Sequence, residues 1–230
     1  MRRRSVLSGI ATGTTMATAG CLSGVFEDHP DDVVLDPQED QRAESGELAY
    51  PAYGEPLPAF QLPDPLTGTA IDTGSVDETM ILTTFFASCP AECGILLNRL
   101  ASAQAILNES GLANETLFLA ITFDPDRDDA EMLRENAARI GADLEAGNWR
   151  YLRPQSPEAA ERIVEDQLGI GFERDVDSPR VPGYDFTHSV LTLLVNPEGI
   201  VERAYRGETL DLDRVTGDVE AVVEKSRDDA

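Results

Sequence analysis

Runs of apolar and β-branched residues alternate along the chain with stretches of helical periodicity. Continuous runs, in which polar residues do not alternate with apolar ones, are typical of strands buried on both faces of a sheet. Such runs predict strands at 79–86, 117–123 and 189–195, and a shorter strand at 149–152. Turn residues at 196–199 predict a hairpin that joins the third run to a returning strand at 200–205.

Helical periodicity occupies the segments between these strands. Leu96, Leu100 and Leu107 recur at a spacing that predicts a helix ended by Gly111. Further helices are predicted at 128–140, 157–168 and 211–225, and residues 169–187 are predicted to be irregular. The order of these elements predicts an α/β domain in which helices flank a central mixed β-sheet.

The chain is strongly acidic, and this narrows the classes of function. Its 230 residues include 43 acidic and 18 basic side chains, which gives a formal net charge of -25. Such a charge repels phosphate backbones, so no nucleic-acid partner is expected. Among the basic residues the only lysine is Lys225, and the rest are arginines. An acidic surface with almost no lysine predicts a halophilic protein, because concentrated salt screens the self-repulsion; the alternative is that the charge serves only solubility.

The first fifty residues resemble an export and anchoring segment. Three arginines and a weakly apolar stretch at 1–20 resemble a twin-arginine signal, and the small residues before Cys21 resemble a lipoprotein processing site. We therefore expect lipidation of Cys21 and a position on the extracytoplasmic face of the cell membrane. Residues 21–54 are rich in acids and are predicted to be a flexible tether, ahead of a domain at 55–226 and a tail at 227–230.

Cys89 and Cys93 lie where a buried strand gives way to a helix. The free N–H groups at a helix N-terminus lower the pKa of thiols, and Pro90 suits a first helical turn. A helix that begins by Pro90 would place both sulfurs on one side of a single turn. The pair can form a structural disulfide, exchange with another disulfide, or bind a soft metal.

His188 is the only histidine in the predicted domain. It precedes the strand at 189–195, and in an α/β sheet the loop before a late strand can return to the first strand–helix junction. Two thiolates and one imidazole would form a three-coordinate site that favours Cu(I), although Cu(II) with an added oxygen ligand also fits. A tetrahedral structural zinc site would need a fourth ligand.

Three stretches of the chain resemble the Sco/SenC family of thioredoxin-like copper chaperones. They are LTTFFASCPAECGILLNRL at 82–100, ITFDPDRDD at 121–129 and DFTHSVLTLLVNPEGIVERAYRG at 185–207. The resemblance implies a thioredoxin-like fold and a copper site at Cys89, Cys93 and His188. Members of the family deliver copper to the binuclear copper centre of cytochrome c oxidase or reduce the cysteines of that centre. The resemblance therefore also implies that the partner is the copper-receiving subunit of a respiratory oxidase.

The chain departs from the family pattern at two positions beside these residues. Gly94 stands where the family commonly has proline, and Thr187 stands where it often has aspartate. Both departures keep the three ligands, but the second leaves open which group orients the imidazole, since a metal-bound histidine usually donates its other N–H to a carboxylate or carbonyl. Asp124 and Asp185 are the candidates for a supporting role beside the metal.

Two other functions remain open from the residues. The cysteine pair can serve a thiol–disulfide reductase, which would not need His188. The pair can also form a purely structural disulfide that stabilises the loop before the helix. A peroxidase of the same fold is disfavoured, because no proline precedes Cys89 at the spacing that peroxiredoxins use. Whether the chain is an enzyme is therefore not decided by the sequence.

Overall fold

A five-stranded mixed sheet lies at the centre of the computed structural model, which describes residues 32–89, 91–174 and 186–229. The strands, in chain order, are β1 (Gln61–Pro63), β2 (Ala70–Asp72), β3 (Thr79–Phe85), β4 (Thr116–Thr122), β5 (Trp149–Leu152), β6 (Phe172–Arg174), β7 (Phe186–His188), β8 (Leu191–Val195) and β9 (Val201–Arg206). The central sheet has the order β5-β4-β3-β8-β9. Strands β3, β4 and β5 are parallel, whereas β8 runs antiparallel to both β3 and β9.

Four α-helices flank the sheet. They are α1 (Glu92–Glu109), α2 (Ala130–Ile140), α3 (Pro157–Glu161, continued by a π-helical turn Arg162–Gln167) and α4 (Leu212–Asp229). Short 3-10 turns lie at Ser45–Glu47 and Thr73–Ser75. Capping follows the local sequence, since the Asp129 carboxylate accepts the first N–H groups of α2 and Gly141 ends that helix in the left-handed region.

The apolar runs explain why the central strands lie where they do. Every residue of β3, β4 and β8 is buried, as expected of strands covered on both faces. All five central strands and all four helices predicted from the sequence are present, with boundaries within a few residues. Helix α4 extends to Asp229 and so includes most of the predicted tail at 227–230, where Arg227 pairs with Glu115.

The region at 169–187, predicted to be irregular, contains two short strands. Strand β6 pairs antiparallel with β7, and Phe172 lies opposite His188 in this small second sheet. The two paired strands have only three residues each and lie on either side of residues 175–185. Strands this short are not recognisable from a periodic pattern in the sequence. The prediction of an irregular loop was therefore wrong at both of its described ends.

The structure also differs from the predicted tether, because residues 32–54 lie against the domain. We call residues 32–40 the N-terminal strap. The buried Glu202 carboxylate accepts the backbone N–H groups of Val34 and Leu35, both at 2.9 Å. Farther along the strap, the Gln38 amide bonds the N–H of Ala204 at 3.1 Å and its C=O at 3.3 Å. The Gln38 bonds thus pair the main chain of β9 at Ala204, an attachment that the acidic composition of the segment does not reveal.

Residues 1–31, with the predicted signal and Cys21, lie outside the described residues. None of the helices in the described part of the chain is long and apolar enough to cross a bilayer.

Candidate metal centre

The structure brings Cys89, Cys93 and His188 together at one end of the central sheet, beyond the carboxyl end of β3. Cys89 follows β3, Cys93 lies in the first turn of α1, and His188 ends β7. One ligand atom from each of the three residues lies within 4.8 Å of the others. Among the described residues this is the only group of cysteine, histidine and acidic side chains with such spacing. The three residues that were predicted, from their chemistry and from the family resemblance, to form a metal site therefore lie close together in the structure.

Cys89 lies outside helix α1, in contrast to the expectation that the helix begins by Pro90. The helix begins at Glu92, and Cys89 closes a turn in which its N–H donates to the carbonyl of Phe86 at 3.2 Å. The turn and the first turn of α1 together bring the two sulfurs close. Cys89 remains half-buried, whereas Cys93 is only 2% exposed.

Two charged side chains from outside the motif hold the turn before Cys89. The Asp128 carboxylate accepts the N–H of Ala87 at 2.9 Å, and the Arg139 guanidinium donates to the C=O of Ala87 at 2.7 Å. Asp128 is fully buried and also accepts the hydroxyl of Thr122. Neither residue could be identified from the sequence, because both bind main-chain atoms and belong to no motif of metal-ligand types.

His188 is positioned by β7 and by aromatic neighbours. Its ring meets Phe86 edge-on with centroids 5.9 Å apart and lies 5.3 Å from the ring of Phe123. The Nδ1 atom lies 3.3 Å from the carbonyl oxygen of Ser189, which can only accept a hydrogen bond. In the neutral imidazole Nε2 is then left as the acceptor, and it faces the Cys93 sulfur at 3.6 Å. A backbone carbonyl thus takes the orienting role that the sequence had left open.

The two acidic residues considered for a supporting role differ in where they lie. Asp124 is buried, and its carboxylate accepts a hydrogen bond from the Arg127 guanidinium. Its own N–H donates to the Thr122 hydroxyl at 3.0 Å, so Asp124 belongs to the same polar network as Asp128. Asp185 lies outside the described residues.

The two thiols have very different acidities. The pKa of Cys89 is lowered from 9.0 to about 5 and that of Cys93 is raised well above its usual value, and in both cases the largest cause is the hydrogen bond between the two thiols. His188 and the N–H groups of Ala91 and Cys93 also lower the pKa of Cys89, and burial raises the pKa of Cys93 further. Cys89 is therefore a thiolate at neutral pH, while Cys93 keeps its proton until a metal or an oxidant removes it.

This arrangement is suited to soft-metal chemistry and to thiol exchange. A thiolate, a thiol that loses its proton on metal binding, and an imidazole nitrogen form a compact donor set for a soft ion. The half-buried Cys89 also allows a second protein to reach the sulfur.

The family of the chain is indicated by a sequence comparison. A family model described as SCO1/SenC matches residues 57–224, which include both cysteines and His188. No curated protein matches the chain at a significant level.

Solved structures with the same fold come from several organisms. A SCO1/SenC family lipoprotein from Bacillus anthracis str. Ames has a TM-score of 0.61 at 19% identity, covering 76% of this chain and 96% of that one. Arabidopsis thaliana ScoI with copper bound has a TM-score of 0.58 at 24% identity, with coverages of 73% and 98%. BsSco, described as a member of the Sco family of cytochrome c oxidase assembly proteins with a disulfide switch, has a TM-score of 0.61 at 19% identity, with coverages of 76% and 96%. These likenesses confirm the predicted thioredoxin-like α/β fold.

Proposed function

The chain belongs to the SCO1/SenC family, and on this premise we propose that it is a copper chaperone that delivers copper to the binuclear copper centre of cytochrome c oxidase. The copper ion is its cargo. Two neighbours in the structural comparison support the proposal, since one holds copper and the other is described as an oxidase assembly protein. The recipient is the copper-receiving subunit of a respiratory oxidase.

The observation that carries this proposal is the convergence of Cys89, Cys93 and His188 within 4.8 Å. His188 lies ninety-five positions from Cys93 along the chain, so only the fold brings the imidazole to the thiols. A disulfide reductase has no need of this third residue. Two sulfur donors and one nitrogen donor favour Cu(I), and added oxygen ligands would accommodate Cu(II).

Acid–base chemistry at the centre links copper binding to pH. Because the pKa of Cys89 is lowered to about 5, this sulfur needs no further deprotonation at neutral pH. Cys93 has a raised pKa and releases a proton when the metal binds. Copper affinity is therefore expected to increase with pH across the neutral range, and acidification is expected to favour release.

The location of the protein is part of the proposal. The resemblance of residues 1–20 to a twin-arginine signal and of Cys21 to a lipidation site supports a lipid anchor on the extracytoplasmic face of the membrane. The acidic composition supports a working environment of high salt. Radiolabelled lipid incorporation by cells expressing the wild type and Cys21→Ser tests the anchor, because only the wild type is expected to become labelled.

Copper binding is tested on the full chain, with Cys21→Ser in every sample so that only the domain thiols remain. The reduced protein is titrated anaerobically with Cu(I) against a competing chelator, alongside Cys89→Ser, Cys93→Ser and His188→Ala. We expect one copper per chain in the parent protein and at least tenfold weaker binding in each variant. Equal binding by His188→Ala would remove the imidazole from the site, and lack of binding by the parent would contradict the proposal.

A second function is favoured by the different acidities of the two thiols. In a thiol–disulfide oxidoreductase the Cys89 thiolate attacks one sulfur of a target disulfide and displaces the other as a thiolate. Cys93, once deprotonated, attacks the sulfur of Cys89 and releases the second target thiolate, so two electrons pass to the target and the Cys89–Cys93 disulfide forms. The targets would be the cysteines of the same copper centre or those of other exported proteins.

The reduction potential of the pair separates this function from a stapling disulfide. A structural disulfide typically has a potential below about −300 mV, whereas one that exchanges is more oxidising. Equilibration of the full chain with glutathione buffers gives the value. A Cys93→Ser variant that traps a mixed disulfide, with a Cys89→Ser variant that does not, would support exchange through Cys89.

A further inference from the structure

Helix α1 presents an exposed face that is unlike the rest of this acidic protein. Between Glu92 and Glu109 the helix contains no acidic residue and one cation, Arg99, although the whole chain carries a net charge of -25. Among the described residues, the exposed large hydrophobic side chains are Ile95 and Ile106, at 47% and 39% exposure, and both belong to α1. The other long helices carry acidic residues in their solvent-facing positions, such as Glu131 and Glu135 in α2.

The part of this face nearest the metal centre forms a shallow groove. It is lined by Ala91, Gly94, Ile95, Asn98, Arg99 and Arg139, with Ile140 behind them. Cys93 is in the same turn of α1 as Gly94 and Ile95, so the groove lies at the same end of this helix as the metal centre. A Cβ atom added at Gly94 would meet no atom of a neighbouring element within 4 Å, so the helix surface is open at this position.

Two cations in the groove have no carboxylate partner. Neither Arg99 nor Arg139 takes part in an ion pair among the described residues, whereas Arg127, Arg203 and Arg214 do. Arg139 is held in place by its hydrogen bond to the carbonyl of Ala87 at 2.7 Å. Among the described residues, both guanidinium groups therefore line the groove without a carboxylate at ion-pair distance.

We propose that the groove formed by Ala91, Gly94, Ile95, Asn98, Arg99 and Arg139 is the docking surface for the protein that exchanges copper with the centre, and that this partner presents carboxylates around an apolar contact. The inference rests on the proposed function and adds the surface and the chemistry of the partner to it. Ile95 supplies the apolar contact, and Arg99 and Arg139 attract the acidic rim. The absence of carboxylates from the groove removes the repulsion that the rest of the surface would exert on an acidic partner.

The electrostatic part is tested with small disulfides of opposite charge, independently of copper and of any partner. The full chain with Cys21→Ser reacts at Cys89 with dianionic dithiobisnitrobenzoate and with dicationic cystamine at about 0.1 M salt, where screening is still incomplete. We expect Arg99→Glu to lower the ratio of the anionic to the cationic rate at least about fivefold. Arg134→Glu, a matched change at an exposed arginine of α2, is expected to leave it unchanged. An unchanged ratio in Arg99→Glu would overturn the proposal.

The docking part is tested by copper transfer to the copper-free soluble domain that carries the binuclear centre of the oxidase. Ile95→Asp and Arg99→Glu are expected to load copper as the parent protein does and to transfer it at least about tenfold more slowly. Ile106→Asp is the matched control, because it makes the same change on the same helix about 16 Å away. Transfer by Ile95→Asp at the parental rate would overturn the docking surface.

The two tests separate failure of the inference from failure of the proposed function. A parent protein that binds no copper contradicts the proposed function before any transfer is measured. A parent that loads copper but transfers none to this domain contradicts the proposed recipient and, with it, the docking surface for that partner. Normal loading and transfer with no effect of Ile95→Asp or Arg99→Glu contradicts only the docking surface.

Discussion

Ala87 has neither a reactive side chain nor an unusual conformation, yet both of its peptide groups are held by charged side chains. Asp128 accepts its N–H and Arg139 donates to its C=O. Two residues later the chain reaches Cys89, so these bonds determine where that sulfur lies relative to Cys93 and His188. The metal centre thus depends on residues that never contact the metal.

Loss of the Asp128 carboxylate is expected to destabilise the fold and loosen the centre. Asp128→Ala leaves the buried N–H of Ala87 and the Thr122 hydroxyl without an acceptor, at a cost of about 1–3 kcal/mol in the free energy of unfolding. Urea unfolding measures this change, and Cu(I) competition is expected to show weaker binding. Asp128→Asn keeps an oxygen acceptor and should restore most of both properties. Asp126→Ala, at an exposed position of the same segment, is the control.

The reactivity of Cys89 is expected to follow its lowered pKa. Alkylation by iodoacetamide should reach half of its maximum rate near pH 5 and stay nearly constant above pH 7, because the thiolate is the reactive form. Cys93→Ala removes the main hydrogen bond to Cys89 and should move the midpoint up toward the ordinary value of 9.0. A midpoint that does not move in this variant would show that the Cys93 thiol is not the cause.

The three candidate ligand residues could be predicted because cysteine and histidine are the residue types that bind soft metals. A pair of cysteines at a strand–helix junction and a single histidine in the domain limit the choices, and the family resemblance joins them. The contacts of Ala87 could not be predicted in this way. In the sequence, Asp128 is like any acid at the start of a helix and Arg139 is like any exposed helical arginine. Only the fold shows that both bind the main chain of Ala87.

At the scale of elements, the five strands of the central sheet were predictable, whereas the small second sheet and the N-terminal strap were not. Uniform apolar runs identify β3, β4 and β8, because both faces of these strands are covered. The small sheet of β6 and β7, by contrast, rests on a pairing between distant three-residue segments. The N-terminal strap was also missed, since its attachment to β9 uses side-chain groups of Gln38 and Glu202 that mimic strand pairing.

Glu202 is expected to be the main attachment point of the strap. Its carboxylate accepts bonds from Val34, Leu35 and the Asn196 amide, so Glu202→Ala leaves three donors unpaired. We expect a loss of at least about 2 kcal/mol in the free energy of unfolding and faster proteolysis within residues 32–54. Glu198→Ala, at the exposed turn between β8 and β9, serves as the control. Unaltered proteolysis in Glu202→Ala would show that other contacts hold the strap.

For the molecule as a whole, charge is the dominant property. A net charge of -25 opposes the compact state, and added salt screens this repulsion. We expect the melting temperature to rise substantially between dilute buffer and molar potassium chloride. An uncharged osmolyte at equal osmolality is the control for effects other than screening. A melting temperature that responds equally to both would contradict an electrostatic cause.

The course of the N-terminal strap determines at which end of the central sheet the preceding part of the chain enters the domain. The strap begins beside Asn196, whose amide donates to the Asp32 carbonyl at 2.8 Å, and follows β9, which runs parallel to β3. The strap therefore begins at the end of the central sheet opposite to the cysteines. Ten residues separate Cys21, the proposed lipidation site, from the strap, and a segment of ten residues spans at most about 35 Å. On the proposal that Cys21 is anchored in the membrane and that the protein delivers copper, the thiols lie at the end of the sheet farther from the lipid, so an acceptor would need to hold its copper ligands well above the headgroups.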